Sequence, residues 1–480
     1  MSVGTLPLFV GDVKAQLSSL NFSIPDLITK DLKLGQTPAG GKRIRLSSNF
    51  LNLMGFESGT RTTISPSGQL NGLMITTDMA GKTKIYSRSY TQRKNNPIES
   101  LIDIQNQKLI SDCIPSYAER VHIALRHGNI NITPLANESF SIRRKLAHAA
   151  NPFESFVAMT SGVDIKCMIE TGFTIQGVLE YRPQEARDKN DLTETGALNV
   201  LANSSPKYLF NQDISKINWR QVEDYMKDDE PVSLLHVSLQ CDEFGQSKDL
   251  KAKQRSVENL DTTVDLVYDG LRMVETLKPA VIMVENVPGF ENSASGVLLT
   301  TKLRKWGYHV TQKVLDARDY SGLTSRKRFY LIASVWPGLE LAPEHEAKRT
   351  DLWDIINANL NDCRDITHTK TVHLGIEVGR SRIITKDSSF APTVMKSQNR
   401  QAKDSIYIEK DGRYFMPSEK LLRELNSIPE SFDLNSCSST IASEIIGQSI
   451  EYPMHHAILK SVYDHIRANT IGAIIKFGNG

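Results

Sequence analysis

At 480 residues, the chain has room for two to four domains of roughly 100–200 residues each. Its 40% apolar and 23% charged content excludes long disorder, and no apolar run approaches the ~20 residues that cross a bilayer. The formal charge of +2 hides a division: residues 1–150 hold 18 Lys+Arg and 10 Asp+Glu, the rest 39 and 45, so a basic first third on a mildly acidic body is expected to meet a polyanion.

Five scattered cysteines, Cys113, Cys167, Cys241, Cys363 and Cys437, are never spaced as CxxC. That pattern argues against a disulfide framework or a cysteine-rich zinc site. The opening MSVGTLPLFVGDVK has no basic stretch ahead of an apolar core. A secretory leader is therefore not expected, and a cytoplasmic, nucleoid-associated location is.

In chain order, RIRLSSNFLNLMGF (43–56) predicts a short strand and a brief helix, with Gly55 and Gly59 at a turn. TRTTISPSGQLNGLMIT follows as two strands around Ser67-Gly68. This stretch resembles the swapped-hairpin β domains of the AbrB and SymE-like class, which implies a β-rich domain, DNA contact and a possible dimer. YSRSYTQRKNNP (86–97) interleaves Arg88, Arg93 and Lys94 with Tyr86 and Tyr90, a pattern suited to phosphate contact with stacking or to an exposed loop. Lys42, Arg43, Arg45, Arg88, Arg93 and Lys94 are the candidate DNA contacts of this third.

From about residue 150, short apolar runs alternate with helical stretches. FVAM (156–159), IQGVLE (175–180), SLLHVSL (233–239), AVIMVEN (280–286) and RFYLIASV (328–335) predict strands, and TTVDLVYDGLRMVETL (262–277) a helix. Such alternation implies a parallel sheet covered on both faces, with ligands at the carboxyl ends of the strands. Polar or reactive groups fall at those ends: Glu180, Asp213, Cys241, Glu285-Asn286, and Arg326 and Arg328 opening the last strand. Two carboxylates at the first strand ends suit a nucleoside, one for the ribose hydroxyls and one for an adenine amino group. A strand-end thiol near a carboxylate and two arginines suits nucleophilic attack, because positive charge populates the thiolate. A lone cysteine is more often a buried small hydrophobe, but the polar DEFGQSKDLKAK after Cys241 argues against simple burial.

These runs resemble the cytosine-5 DNA methyltransferase family. AVIMVENVPGF looks like its "ENV" motif, SLQCDEFGQSK its "PCQxFS" nucleophile loop, and DARDYSGLTSRKRFYLIAS its "YGxPQxRxR" arginine motif. FAPTVMKS (390–397) looks like "SPT(I/L)", MPSEKLLRELNSIPESF (416–432) like "LTxREcARLQGFPDxF", and EIIGQSIEYPMHHAI (444–458) like the closing "IGNAVPxxL" helix. The order agrees, with Glu285 44 residues after Cys241.

The resemblance implies an α/β, Rossmann-like S-adenosylmethionine-dependent methyltransferase sheet behind a smaller β-rich N-terminal domain. It implies methyl transfer from S-adenosylmethionine to C5 of a flipped cytosine in double-stranded DNA, in the manner of restriction-modification enzymes, with no metal. Cys241 would be the nucleophile, Glu285 the partner of base N3, and Arg326 and Arg328 the base and phosphate clamp. Gly162, Asp164, Glu180, Tyr181, Asp213, Ile214 and Ser449 would bind the cofactor, and Asn286 would contact DNA. Four segments are expected: 1–150, a basic domain; 151–338, the catalytic core; 339–389, a short recognition insert; and 390–480, the rest of the methyltransferase domain.

Departures stand beside this. Gln240 replaces the proline before the cysteine, Gly245 the serine of "FS", Thr324 the glutamine of "PQxRxR" and Gln448 the asparagine of "GNxV". ESFVAMTSGVD (154–164) keeps Gly162 and Asp164 but lacks two glycines of the "FxGxGG" cofactor loop. Two other functions remain open: a catalytically silent relative acting as a DNA-binding regulator, and an RNA cytosine-5 methyltransferase.

Overall fold

The computed structural model describes residues 23–477 except 69–71, 94–96, 186–187, 189–190, 242, 245–249, 261, 342–350 and 401–404, with backbone alone for Arg400 and 471–477. It separates into two compact units, 1–141 and 142–480. Among the described residues no helix is long and apolar enough to cross a membrane.

The first unit is β-rich. Strand Lys42–Ser48 leads into helix Asn49–Leu53, which Ser48 caps by accepting from the Phe50 N–H. Strands Arg61–Pro66 and Leu73–Thr77 pair antiparallel, as the turn chemistry predicts. They belong to a six-stranded sheet that also holds Ile28–Lys33, Arg120–Arg126, Asn129–Pro134 and Thr83–Lys84. A four-stranded sheet holds Gly35–Gln36, Lys42–Ser48, Ile98–Ile104 and Tyr86–Ser89. Alternating apolar residues, among them Ile44, Leu46, Ile75, Ile102, Ile123 and Ile130, form the shared core. Within the 86–97 segment, Tyr86–Ser89 is a strand paired with Ile98–Ile104, and Tyr90 N–H donates to the Pro97 carbonyl at 2.6 Å, while Thr91, Gln92 and Arg93 form an exposed turn.

The second unit is built on a seven-stranded sheet. Its strands in chain order are β1 (Glu154–Ala158), β2 (Thr174–Leu179), β3 (Tyr208–Phe210), β4 (Leu234–Val237), β5 (Val281–Asn286), β6 (His309–Asp316) and β7 (Lys327–Ser334). They are arranged β3-β2-β1-β4-β5-β7-β6. All run parallel except β7, which is antiparallel to both neighbours. The continuous apolar runs of β1, β4 and β5 fit strands covered on both faces. Helices α1 (Val163–Thr171), α2 (Thr195–Asn203), α3 (Trp219–Met226), α4 (Leu266–Leu277), α5 (Ala294–Lys305), α6 (Ser439–Gln448) and α7 (Tyr452–Phe477) complete the frame.

Two features of this topology place the site. The chain winds outward from β1 to β3, then returns to start β4 on the other side of β1. That reversal opens a crevice at the carboxyl ends of β1 and β4. Because β7 runs backwards, its entry lies beside the exit of β5: Phe329 pairs with Asn286 and Tyr330 with Glu285.

A second, four-stranded sheet collects Arg364–Asp365, Arg413–Met416, Ile406–Lys410 and Arg382–Ile384. It draws strands from both sides of the 390–397 segment.

Candidate active site

The β1–α1 turn forms the floor of the crevice. Met159 (φ 60°) and Gly162 (φ 104°) are both left-handed. Glycine takes that conformation freely, while a methionine there is strained by roughly 1–2 kcal/mol. The loop therefore keeps a glycine-type path although two glycines are missing. Side chains supply the hold: Thr160 Oγ accepts from the Gly162 N–H at 2.9 Å and donates to Asp164, and Asn199 on α2 donates to the Ser161 carbonyl at 2.6 Å.

Asp164 was expected at the cofactor, and the structure turns it inward. It is 5% exposed, and its Oδ2 lies 3.2 Å from Nδ1 of the fully buried His236 on β4. Burial pushes this carboxyl up, but His236 and Thr160 outweigh that and hold it below the usual range. The His236 ring meets His455 edge-on at 5.1 Å, and His455 Nδ1 is 3.0 Å from the Tyr330 hydroxyl. Burial also drives the His455 pKa well down, so this imidazole is neutral.

Glu180 follows β2 and is buried at 7% exposure. Burial, with the nearby charge of Asp164, pushes its carboxyl up to about 8 against the pull of the Thr160 N–H and Arg182. A Cβ on Gly196, at the start of α2, would come within 2.3 Å of Glu180 Oε1. Only glycine leaves room for the carboxylate there. Tyr181 is half exposed beside it. Asp213, past the end of β3, accepts at Oδ1 from the Ser215 N–H at 3.0 Å and the Ser215 hydroxyl at 2.8 Å. Ile214 packs into the core, so it anchors Asp213 without presenting a side chain to a ligand. Ser449 is likewise turned away: its hydroxyl donates to the Ile446 carbonyl at 2.7 Å.

At the other end of the crevice Cys241 follows β4, partly exposed. Glu285, 9% exposed, ends β5. Arg328 comes from the entry of β7 and places Nε 2.8 Å from Glu285 Oε1. Arg326 feels the charges of Arg328, Glu285 and Cys241, so all four predicted residues converge. Their roles separate, however. Arg326 is 1% exposed and gives its N–H groups to the carbonyls of Val394 (3.3 Å), Gly447 (3.4 Å), Gln448 (3.5 Å) and Ser449. Burial lowers its pKa to about 9. It ties α6 and the 390–397 segment to β7.

Asn286 is corrected in the same way. At 2% exposure it is closed to DNA. Its amide donates to the Leu239 carbonyl at 2.9 Å, and its Oδ1 accepts from the Val287 N–H at 2.8 Å. The segment after Cys241 also docks through Phe244, whose ring meets Phe290 at 4.9 Å in a T-shape. Gly245 lies outside the described residues.

The basic candidates of the first unit divide too. Lys42 donates to the carbonyls of Pro115, Ser116 and Ala118 at 2.7, 2.7 and 2.9 Å. Arg43 is paired with Asp103, Nε to Oδ1 at 2.8 Å, and Arg93 with Glu99 at 2.5 Å. Arg45 and Arg88 are exposed. Lys94 lies outside the described residues.

Thr160, Asn199, Gly196 and His236 were not anticipated. Asn199 and Asn203 four residues apart on an apolar helix, and a histidine inside SLLHVSL, were the available signals. No group of three or more His, Cys, Asp or Glu among the described residues is arranged to hold a metal.

The strand order, the reversed β7 and the loop at the crevice define a Rossmann-like fold of the S-adenosylmethionine-dependent methyltransferase type. The structure of the Entamoeba histolytica methyltransferase EhMeth superposes with a TM-score of 0.51 at 15% identity, covering 65% of this chain and 98% of that one. Residues 197–335, which include Cys241, Glu285 and Arg328, match the family model of the C-5 cytosine-specific DNA methylases. A putative type II methyltransferase of Methanocaldococcus jannaschii (M.MjaORF1200P) is 26% identical over 178 residues, 36% of this chain and 46% of that protein. The type II methyltransferase M.MspI of Moraxella sp is 28% identical over 138 residues, 28% of this chain and 33% of that protein. The chain thus spans less than half the length of these relatives.

Proposed function

We propose that the chain is a DNA (cytosine-5)-methyltransferase acting on a cytosine flipped out of double-stranded DNA, with S-adenosylmethionine as methyl donor. The observation that carries it is the buried ion pair of Glu285 with Arg328, tied by the neighbouring Asn286 to the strand end that delivers Cys241. The Gly162 loop, the buried Glu180 with the space Gly196 leaves, and the half-exposed Tyr181 fit a nucleoside with an attached amino acid. S-adenosylmethionine would supply an electrophilic methyl group there.

Cytosine C5 is too weak a nucleophile to be methylated unaided. The Cys241 thiolate adds to C6, forming a C–S bond and moving electron density towards C5. Glu285 holds a proton at N3 and takes up the charge that develops on the ring. Arg328 fixes the Glu285 carboxyl and presents N–H groups towards the base O2. After C5 carries the new group, transfer of the C5 proton to solvent water and cleavage of the C6–S bond restore the double bond and release the Cys241 thiolate. Such attack requires an unstacked base, hence flipping.

The test is bisulfite sequencing of DNA from a host expressing the chain, with Cys241→Ser as control. DNA containing 5-fluorocytosine should also trap a denaturant-resistant adduct through Cys241, because fluorine blocks the last elimination. Methylation that survives Cys241→Ser would sink the assignment, as would activity on RNA alone. Binding of DNA with neither methylation nor adduct would favour a silent regulator.

A further inference from the structure

The small sheet of the N-terminal unit presents one face to its core, through Ile44, Leu46, Ile102 and Ile104. On its other face the register sets Arg45 opposite Asp103, Arg88 opposite Glu99, and Tyr86 opposite Leu101. Both acids on this face are already engaged. Asp103 is held by Arg43, while Glu99 accepts from Arg93 at 2.5 Å and from the Ser47 hydroxyl at 2.8 Å. Arg45 and Arg88 are exposed and form no ion pair among the described residues. The unbalanced charge of the face is therefore positive and sits on two named side chains.

Arg88 is also held in place. Its guanidinium lies over the Tyr90 ring at 4.7 Å, and Arg93 lies over that ring at 3.8 Å. The Tyr90 hydroxyl sits 3.2 Å from Ser47 Oγ. The stack fixes the hairpin and orders Arg88 before any ligand arrives, so less side-chain entropy is lost on binding.

We propose that this outer face contacts the phosphate backbone of duplex DNA, with Arg45 and Arg88 as the charge-bearing contacts and Tyr86 beside them. The spacing favours an extended polyanion over a small anion. Two strand intervals and a four-residue offset put the two arginine backbones roughly 17 Å apart, so a single phosphate would have to draw both side chains inward, away from the Tyr90 ring that holds Arg88. A duplex offers phosphates on both sides of a groove about 12 Å wide, within reach of both long side chains. The ring contacts disfavour a single-strand platform: both groups over the Tyr90 ring are arginines, and among the described residues of this face Tyr86 is the exposed aromatic, whereas single strands are held by successive stacked bases. The proposal rests on the methyltransferase reading only for the choice of DNA over other duplex polyanions.

The experiment is a salt titration of binding by the full chain to a labelled duplex, in wild type and in Arg45→Ala/Arg88→Ala. Each phosphate contact contributes about 0.9 to the slope of log K against log salt. The double variant should lower that slope by about 1.8 and weaken binding about ten- to hundredfold, with an unchanged urea unfolding transition of the N-terminal unit as the check on folding. Arg88→Lys should retain the slope. An unchanged slope in the double variant overturns the proposal, as does tighter binding of the wild type to a single strand or an RNA hairpin than to the duplex. If the 5-fluorocytosine adduct never forms but the slope still falls, the catalytic assignment fails and this surface stands.

Discussion

The Asn286 side-chain amide crosses from the end of β5 to the Leu239 carbonyl at 2.9 Å. One side chain thereby fixes the position of Glu285, its chain neighbour, against the strand end that carries Cys241. The two groups proposed to react come from separate strands, and this bond links the ends of those strands. Asn286→Ala leaves a buried carbonyl unpaired, which costs about 1–3 kcal/mol. We expect adduct formation with 5-fluorocytosine DNA to slow at least about tenfold while S-adenosylmethionine affinity stays within about twofold. Equal losses in both would show a general unfolding effect instead.

The two arginines of the SRKR sequence should give opposite phenotypes. Arg328→Ala removes the partner of Glu285, and methylation should fall about 100-fold, the scale of losing one preorganised donor, beyond what the stability lost by leaving Glu285 unpaired accounts for. Arg326→Met strips the donors from the carbonyls of Val394, Gly447, Gln448 and Ser449. It should cost at least about 2 kcal/mol of stability in a urea titration. Reversed phenotypes would mean that the base clamp is Arg326.

Much of this division was out of reach of the sequence. Strand runs such as AVIMVEN and the reactive residue at each strand end were legible, because apolar runs and catalytic side chains are local features. Which arginine faces the crevice was not: Arg326 and Arg328 are chemically identical, and only the carbonyls of distant α6 decide between them. Lys42 and Arg43 read as surface charge for the same reason, since Pro115 and Asp103 lie some sixty or more residues away. The four-stranded sheet of 364–416 was hidden because its strands are interrupted by the 390–397 segment.

Glu180 predicts a pH dependence. Its pKa of about 8 means that it is mostly protonated at pH 7. Ribose hydroxyls donating to it favour the carboxylate, so cofactor binding releases a proton below about pH 8. Affinity should therefore tighten from pH 6 to 8 and then level off. Calorimetry in buffers of different ionisation enthalpy measures the proton directly. Glu180→Gln should flatten the profile, and Glu180→Ala should weaken binding by about 1.5–3 kcal/mol. A flat wild-type profile would remove Glu180 from the ribose site.

Met159 holds a left-handed backbone at φ 60° in the loop where a glycine would be unstrained. Met159→Gly should relieve roughly 1 kcal/mol of native strain, offset by added freedom in the unfolded chain. Near-neutral stability with retained cofactor affinity is the expected result. A loss of affinity beyond about tenfold would show that the methionine side chain itself contacts the cofactor.

The buried pair Asp164–His236 should act as one unit behind that loop. Asp164 is held below its usual pKa of 3.8 mainly by His236, against the opposing effect of burial. A depressed folded pKa stabilises the native state above the unfolded value and loses that contribution as pH falls below it. Asp164→Asn should thus destabilise the chain at pH 7, and the difference from wild type should shrink below about pH 4. It also loosens the Thr160 hydroxyl contact, so S-adenosylmethionine affinity should fall about tenfold. His236→Phe preserves volume and removes the partner. If the two residues work through each other, the double variant is less damaging than the sum of the singles, with a coupling of about 0.5–3 kcal/mol in unfolding. Tyr330→Phe, one step further along the chain of contacts through His455, should couple to His236→Phe more weakly. Strict additivity of Asp164→Asn and His236→Phe, in stability and in cofactor affinity, would show that the 3.2 Å approach of the two side chains holds nothing in place.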